Sequence, residues 1–182
     1  MQENQNKSEA FVSYVIRKVA SDTAARAAFA RGDNPDTAYL AWEYLVSWCD
    51  IADLKQCKAY ALIAAAIARE QISSNGKMNV GECLRAVVTE PGDLENSPEK
   101  ARLMRLLACD TGLELVELLR SIIRYLQGKE GVRLNYAQTL DDILWWCEKR
   151  KVNWSKAFFK KYSAKTDIDE AGMNASQQKE TE

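Results

Sequence analysis

The run Tyr60-Ala-Leu-Ile-Ala-Ala-Ala-Ile-Ala68 is the most apolar in the chain, and its reading decides the fold class. Lys58 precedes it and Arg69-Glu70 follows it, and it is too short to span a bilayer. It reads as a buried helix. The predicted element extends from about Asp53 to Gln71, and Ser73-Ser74-Asn75-Gly76-Lys77 ends it. Met1 to Glu9 is polar and contains acids, unlike a secretory leader, so no membrane partner is expected.

The remaining composition agrees with helices. Of 182 residues, 47% are hydrophobic and 28% charged, which suits one medium domain or two small ones. Leu, Ala, Glu, Lys and Arg dominate, the residues that lose least entropy in a helix. Three Pro and eight Gly sit mostly at boundaries between apolar stretches. The chain has no His, which removes Ser–His and Cys–His catalysis and His-based zinc sites. Cys49, Cys57, Cys83, Cys109 and Cys147 are scattered, odd in number and form no C-x-x-C pair. They read as small buried hydrophobes in a reducing cytoplasm. No Gly-rich phosphate loop is present, so no cofactor, metal or enzymatic centre is expected.

Outward from the apolar run, the pattern repeats the helical period. Phe11, Tyr14, Val15 and Val19 share a face from Ser8 to about Ala20. An Ala-rich helix follows Asp22 and stops at Arg31-Gly32, where Gly32 suits a left-handed cap. After Asn34-Pro35, Asp36 is the expected cap of an aromatic helix carrying Tyr39, Trp42, Tyr44 and Trp48. Asn79 caps a short helix through Val88. Thr89 to Ser97 is polar and acidic, a linker between two halves. Ser97-Pro98 opens the next helix, and Thr111-x-x-Glu114 forms a capping box for another that ends at Gly128. Asn135 caps a helix from Tyr136 to Arg150, and a last helix runs from about Asn153 to Tyr162. The expected fold is all-α, two small helical bundles in tandem with about eight or nine helices. They span residues 8–88 and 98–162, joined by the 89–97 linker and followed by a disordered acidic tail over 163–182.

Net charge is −1, but it is unevenly distributed. Glu99 to Lys161 holds thirteen Lys and Arg against eight Asp and Glu, a net of +5. Within it, Arg102 and Arg105 lie opposite the Leu103, Leu106 and Leu107 stripe, and Arg120 and Arg124 are a helical turn apart. Lys149, Lys156 and Lys160 would align only if a helix ran unbroken past Val152. Such clusters can track phosphates; the competing reading is an ordinary solvated surface, with Glu117 paired to Arg120 and Ser121 to Arg124. Trp145-Trp146 beside Lys149-Arg150-Lys151 resembles a stacking platform next to a basic groove. Adjacent helical residues diverge by about a hundred degrees, so at most one indole faces the core squarely; both read as wedges between helices. Of the neighbouring Asp141-Asp142 pair, one is expected to point to solvent.

Arg102-Leu-Met-Arg-Leu-Leu-Ala-Cys-Asp110, Leu115-Val-Glu-Leu-Leu-Arg-Ser-Ile-Ile-Arg-Tyr-Leu126 and Val132-Arg-Leu-Asn-Tyr-Ala-Gln-Thr-Leu-Asp-Asp-Ile-Leu-Trp-Trp146 occur in order. With Trp154 and Phe158-Phe159-Lys-Lys-Tyr162 they resemble the small subunit of the type I-E CRISPR Cascade complex, the CasB family. Phe11-Val-Ser-Tyr-Val15 and Asn79-Val-Gly-Glu-Cys-Leu-Arg85 agree more loosely. The resemblance implies a non-catalytic, all-helical structural subunit of an RNA-guided antiviral complex. Its partners would be the backbone and large Cascade subunits, a second copy of itself, guide RNA and target DNA, chiefly the displaced strand. Base pairing then reads sequence while protein charge holds strands. The nucleic-acid-binding residues it implies are Arg85, Arg102, Arg105, Arg120, Arg124, Arg133, Lys149, Arg150 and Lys151. Many relatives are more basic, so binding to free DNA is expected to be weak. A protein-only adaptor, working through the surface around Trp42, Trp48 and the run after Tyr60, is the alternative.

Overall fold

A computed structural model describes residues 2–88 and 91–160, with side chains from 7–88 and 94–160. These residues form nine α-helices: α1 Gln2–Ser21, α2 Thr23–Arg31, α3 Trp42–Leu45, α4 Leu54–Glu70, α5 Val80–Ala86, α6 Pro98–Leu107, α7 Gly112–Gln127, α8 Tyr136–Leu144 and α9 Glu148–Phe159. Short 3-10 segments occupy Ala38–Ala41 and Pro91–Asn96. No strand occurs among the described residues, and no described helix is long and apolar enough to cross a membrane. The expected tail over 163–182 lies outside the described residues, as do positions 89 and 90 of the expected linker.

Every residue of α4 from Ala59 to Ala68 is buried. A helix without a polar face must be surrounded, and α1, α2, α7 and α8 all pack on it. Helices from both sides of the 89–97 segment therefore interleave. α1 lies on α8, α4 on α7 and α8, and α5 on α9, and one continuous cluster of buried side chains runs through all of them. The loops before α5 and α8 add a short parallel bridge. Met78 N–H donates to the Arg133 carbonyl at 3.1 Å and Asn135 N–H to that of Met78 at 2.8 Å. Gly76 is required there, because a Cβ would stand 2.2 Å from the Arg133 carbonyl oxygen.

The helix starts carry the side chains that sequence assigns them. The Asp22, Asp53 and Asn135 carboxylate or amide oxygens accept backbone N–H bonds at 3.0 Å, as does Ser97 Oγ at 3.2 Å ahead of Pro98. Asn79–Glu82 and Thr111–Glu114 close full capping boxes, each cap worth about 1 kcal/mol.

Several local expectations are corrected. Gly32 is right-handed, φ −65°; its lack of a side chain is needed because Ala41 Cβ would meet a Cβ at 2.9 Å. Asp36 caps nothing: Asn34 Oδ1 accepts its N–H. The aromatic helix shrinks to a 3-10 turn and one α-turn, leaving Tyr39 and Trp42 largely exposed. The predicted 136–150 helix breaks at Trp145–Cys147, and α9 then runs without a break through Val152. Cys49, Cys83 and Cys109 are buried as expected, but Cys147 is exposed. The run after Tyr60 is wholly internal, which removes it from any adaptor surface.

At the tightest helix crossing, a Cβ on Gly81 would approach the Trp154 carbonyl oxygen to 2.1 Å. Gly81→Ala should lower the urea midpoint, corresponding to about 1–3 kcal/mol or more. Gly128→Ala, whose Cβ would have only the Tyr125 carbonyl at 3.8 Å, should leave it nearly unchanged.

Candidate nucleic-acid interface

Asp33 follows α2 in a loop, and its side chain is only 2% exposed. Three arginines converge on its Oδ2: Arg69 from the last turn of α4 at 3.0 Å, Arg124 at 3.4 Å and Arg120 at 3.8 Å, the latter two from α7. Arg69 also donates to the Ala30 carbonyl at 3.3 Å. One carboxylate cannot cancel three guanidiniums, so the cluster keeps a surplus of positive charge. The local pairings expected from sequence are replaced by longer-range ones. Glu117 pairs with Lys58 on α4, not with Arg120, and Ser121 Oγ donates to the Leu118 carbonyl, not to Arg124.

The next residue of α7, Tyr125, anchors a second basic group. Arg102 lies over its ring at 4.1 Å and Lys129 at 4.8 Å, both within cation–π range. The Tyr125 hydroxyl donates to buried Glu99 at 2.6 Å, and Arg102 reaches the same carboxylate at 3.5 Å. Arg102 is thus half-buried and pinned. Arg105, one turn further along α6, is exposed and forms no ion pair among the described residues. Arg124 and Tyr125 are consecutive on α7 and so leave it about a hundred degrees apart, one toward Asp33 and the other toward Glu99 of α6.

The bases of α9 separate by role. Arg150 turns inward, donating to Asp142 at 2.7 Å, while Trp154 Nε1 donates to the other oxygen at 2.6 Å. Lys151 pairs with Glu148 at 3.2 Å. Lys149, Lys156 and Lys160 are exposed, and the unbroken helix places them on one face. None of the three forms an ion pair among the described residues. Arg85 on α5 is half-buried, and Arg133, in the loop before α8, is exposed. Neither belongs to the α7 clusters.

The acidic pair also departs from expectation, since Asp141 and Asp142 are both buried. Ser8 Oγ donates to Asp141 at 2.6 Å across the α1–α8 contact. Two adjacent carboxylates can both turn inward because each finds its own donor on a different neighbouring helix. Burial pushes Asp142 up to about 6 against the pull of Trp154 and Arg150, and burial raises Asp141 as well. The adjacent tryptophans diverge. Trp146 packs on Trp154 with ring centroids 4.9 Å apart and donates to the Cys109 carbonyl at 2.9 Å. Trp145 is 56% exposed instead of wedged between helices. Trp154 and Phe158 are fully buried core residues. Among the described residues, no group of His, Cys, Asp or Glu could hold a metal ion.

The model of the CRISPR-associated protein Cse2 family matches residues 25–159, most of the chain. The chain belongs to the Cse2 family. This makes it a subunit of the type I-E CRISPR Cascade complex. Two solved structures share the fold, both of proteins from Thermus thermophilus. One is CasB, at 21% identity, and the other a CRISPR-associated protein of the Cse2 family, at 23% identity. Each has a TM-score of 0.65 and covers 85% of this chain and 98% of its own. No curated protein matches.

In this Cse2-family chain, sequence reasoning missed Asp33, Arg69, Tyr125 and Lys129. Asp33 and Arg69 lie in separate elements before the basic half, and only tertiary packing joins them to Arg120 and Arg124. Tyr125 did carry a signal, beside Arg124 on a helix already singled out, and Lys129 follows directly on the end of that helix at Gly128.

The Asp142 network makes stability depend on pH. A carboxyl raised in the folded state binds its proton more tightly there. Its stabilising share is present below the unfolded value near 3.8 and is lost as pH rises through about 6. Urea midpoints followed from about pH 4 to 7 should therefore show wild-type stability falling relative to Asp142→Asn. A difference independent of pH contradicts the assignment.

Proposed function

We propose that this Cse2-family chain is a non-catalytic small subunit of Cascade, working in the cytoplasm. It holds target DNA, chiefly the displaced strand, and guide RNA by contacts to their phosphates. The other Cascade subunits and a second copy of the chain would be its protein neighbours. The observation that carries this reading is the excess of guanidinium groups where Arg69, Arg120 and Arg124 meet one buried carboxylate. The Arg102–Tyr125–Lys129 group and the unpaired lysine face of α9 support it. Charge presented in this way binds the backbone of any sequence, which suits a complex in which base pairing carries specificity.

The candidate residues divide into two kinds. Arg105, Arg133, Lys149, Lys156 and Lys160 are exposed and have no acid partner among the described residues, so they are free to take phosphates. Arg124 is exposed but held by Asp33, and Arg120 and Arg102 would contribute from partly buried positions. Arg150 would act only through the fold, because Asp142 holds it.

The adaptor reading keeps one specific support. Trp42, Val46 and Leu54 are 44%, 61% and 56% exposed, and apolar exposure of that kind suits contact with other protein subunits. The two readings separate by salt. Arg105→Glu with Lys149→Glu and Lys156→Glu should weaken R-loops formed by assembled Cascade, with little dependence on DNA sequence. Each lost phosphate contact should reduce the slope of log affinity against log salt by about one. If R-loops form as well as wild type at every salt concentration, while Trp42→Ala with Val46→Ser blocks assembly, the chain is an adaptor only.

A further inference from the structure

An open cavity of about 220 Å³ lies where the first turns of α1, the start of α4 and the end of α8 meet. Lys7, Ser8, Lys55, Tyr60, Asp141 and Trp145 line it. Its lining shares no residue with the α7 clusters or the α9 lysine face, and of its residues the sequence had singled out Trp145, as a wedge between helices in preference to a stacking platform.

The wall residue Trp145 is unusual in being a large indole left 56% exposed on a firmly held stem. Its own N–H donates to the Asp141 carbonyl at 3.0 Å. The next residue, Trp146, is anchored on Trp154 and Cys109. The break in the chain after α8 then leaves the Trp145 ring outside the core. Two cations flank the opening. Lys7 Nζ is 5.9 Å from the centre of the Tyr60 ring. Lys55 Nζ donates to the Leu144 carbonyl at 3.1 Å, which leaves two of its three ammonium protons for another acceptor. Neither lysine forms an ion pair among the described residues. At the floor, Asp141 Oδ1 accepts from Ser8, and its second oxygen has no donor among the described residues.

A flat aromatic face sharing a cavity with two unpaired ammonium groups is the combination by which proteins hold single strands. The base stacks regardless of its identity, and the cations take the neighbouring phosphates. A basic side chain from a partner protein would be repelled by both lysines, and an acidic one would leave the indole unused. We infer that this cavity receives one extruded base of a single nucleic-acid strand. The base stacks on Trp145, Lys7 and Lys55 hold the flanking phosphates, and the free oxygen of Asp141 accepts from the edge of the base. This inference rests on the strand-holding reading above and adds to it a site for a base.

The test uses the full chain at low salt with a short mixed-sequence DNA strand and the same strand carrying abasic sites. Trp145→Ala should bind the intact strand about tenfold more weakly, whereas Trp145→Phe should retain most of the affinity. Wild type should bind the abasic strand as weakly as Trp145→Ala binds the intact one. The salt slope should be the same in all three proteins, since the phosphate contacts persist. Equal binding of intact and abasic strands by wild type, with the salt slope intact, overturns the base site and leaves the strand-holding reading standing. The absence of any salt-dependent binding of either strand overturns both. Should Trp145→Ala bind the intact strand normally and instead fail to assemble with the other subunits, the cavity seats a protein side chain and the inference is wrong.

Discussion

Ala59 to Ala68 leaves α4 no face on which water could solvate it, and this constraint organises the molecule. Four helices close around α4, and they are drawn from both sides of the 89–97 segment. α1 and α2 come from before it, and α7 and α8 from after it. Alanine makes the enclosure close-packed, because small side chains let neighbouring helices approach. The position of the arginines follows directly. Arg69 ends α4, Asp33 ends the connection out of α2, and Arg120 and Arg124 ride on α7. Enclosing α4 brings all four to one point.

Buried carboxylates then act as anchors for the basic surface. Asp33 holds three guanidiniums, Glu99 holds the hydroxyl of the tyrosine beneath Arg102 and Lys129, and Asp142 fixes Arg150 across the α8–α9 turn. A buried charge without its partner is far costlier than an exposed one, so these acids place the bases around them. From Glu99 to Lys161 thirteen bases stand against eight acids, and three of those acids, Glu99, Asp141 and Asp142, are interior, so the outward charge of this stretch stays positive even though the chain as a whole carries −1. Overall charge was a poor guide to the surface for this reason.

What was readable in sequence was local. Helix caps depend on residues three positions apart, so Asn79, Ser97, Thr111 and Asn135 could be placed without knowing the fold. The α7 core face, from Leu115 to Leu126, announced itself by period. The failures share one cause, a tertiary partner outweighing a local pattern. Trp146 needed Cys109 and Trp154, and meeting them ended α8 early and restarted the chain as α9. Asp141 and Asp142 could both be buried because Ser8, Arg150 and Trp154 supply donors from other helices. The Asp33 cluster joins positions 33, 69 and 120–124, whose proximity no spacing rule encodes. The family resemblance found the basic helices, but it could not show that Arg150 and Lys151 are occupied by acids whereas Lys156 and Lys160 are free.

The central claim is that positive side chains of α7 and α9 face nucleic acid in the assembled complex. It is tested most directly by lysine-acetylation footprinting of Cascade before and after R-loop formation. The account predicts that Lys129, Lys149, Lys156 and Lys160 lose reactivity when the strands are engaged and regain it at high salt, while Lys18, paired with Asp22 on the α1–α2 corner, reacts equally throughout. Unchanged reactivity of the α9 lysines and Lys129 on R-loop formation contradicts it.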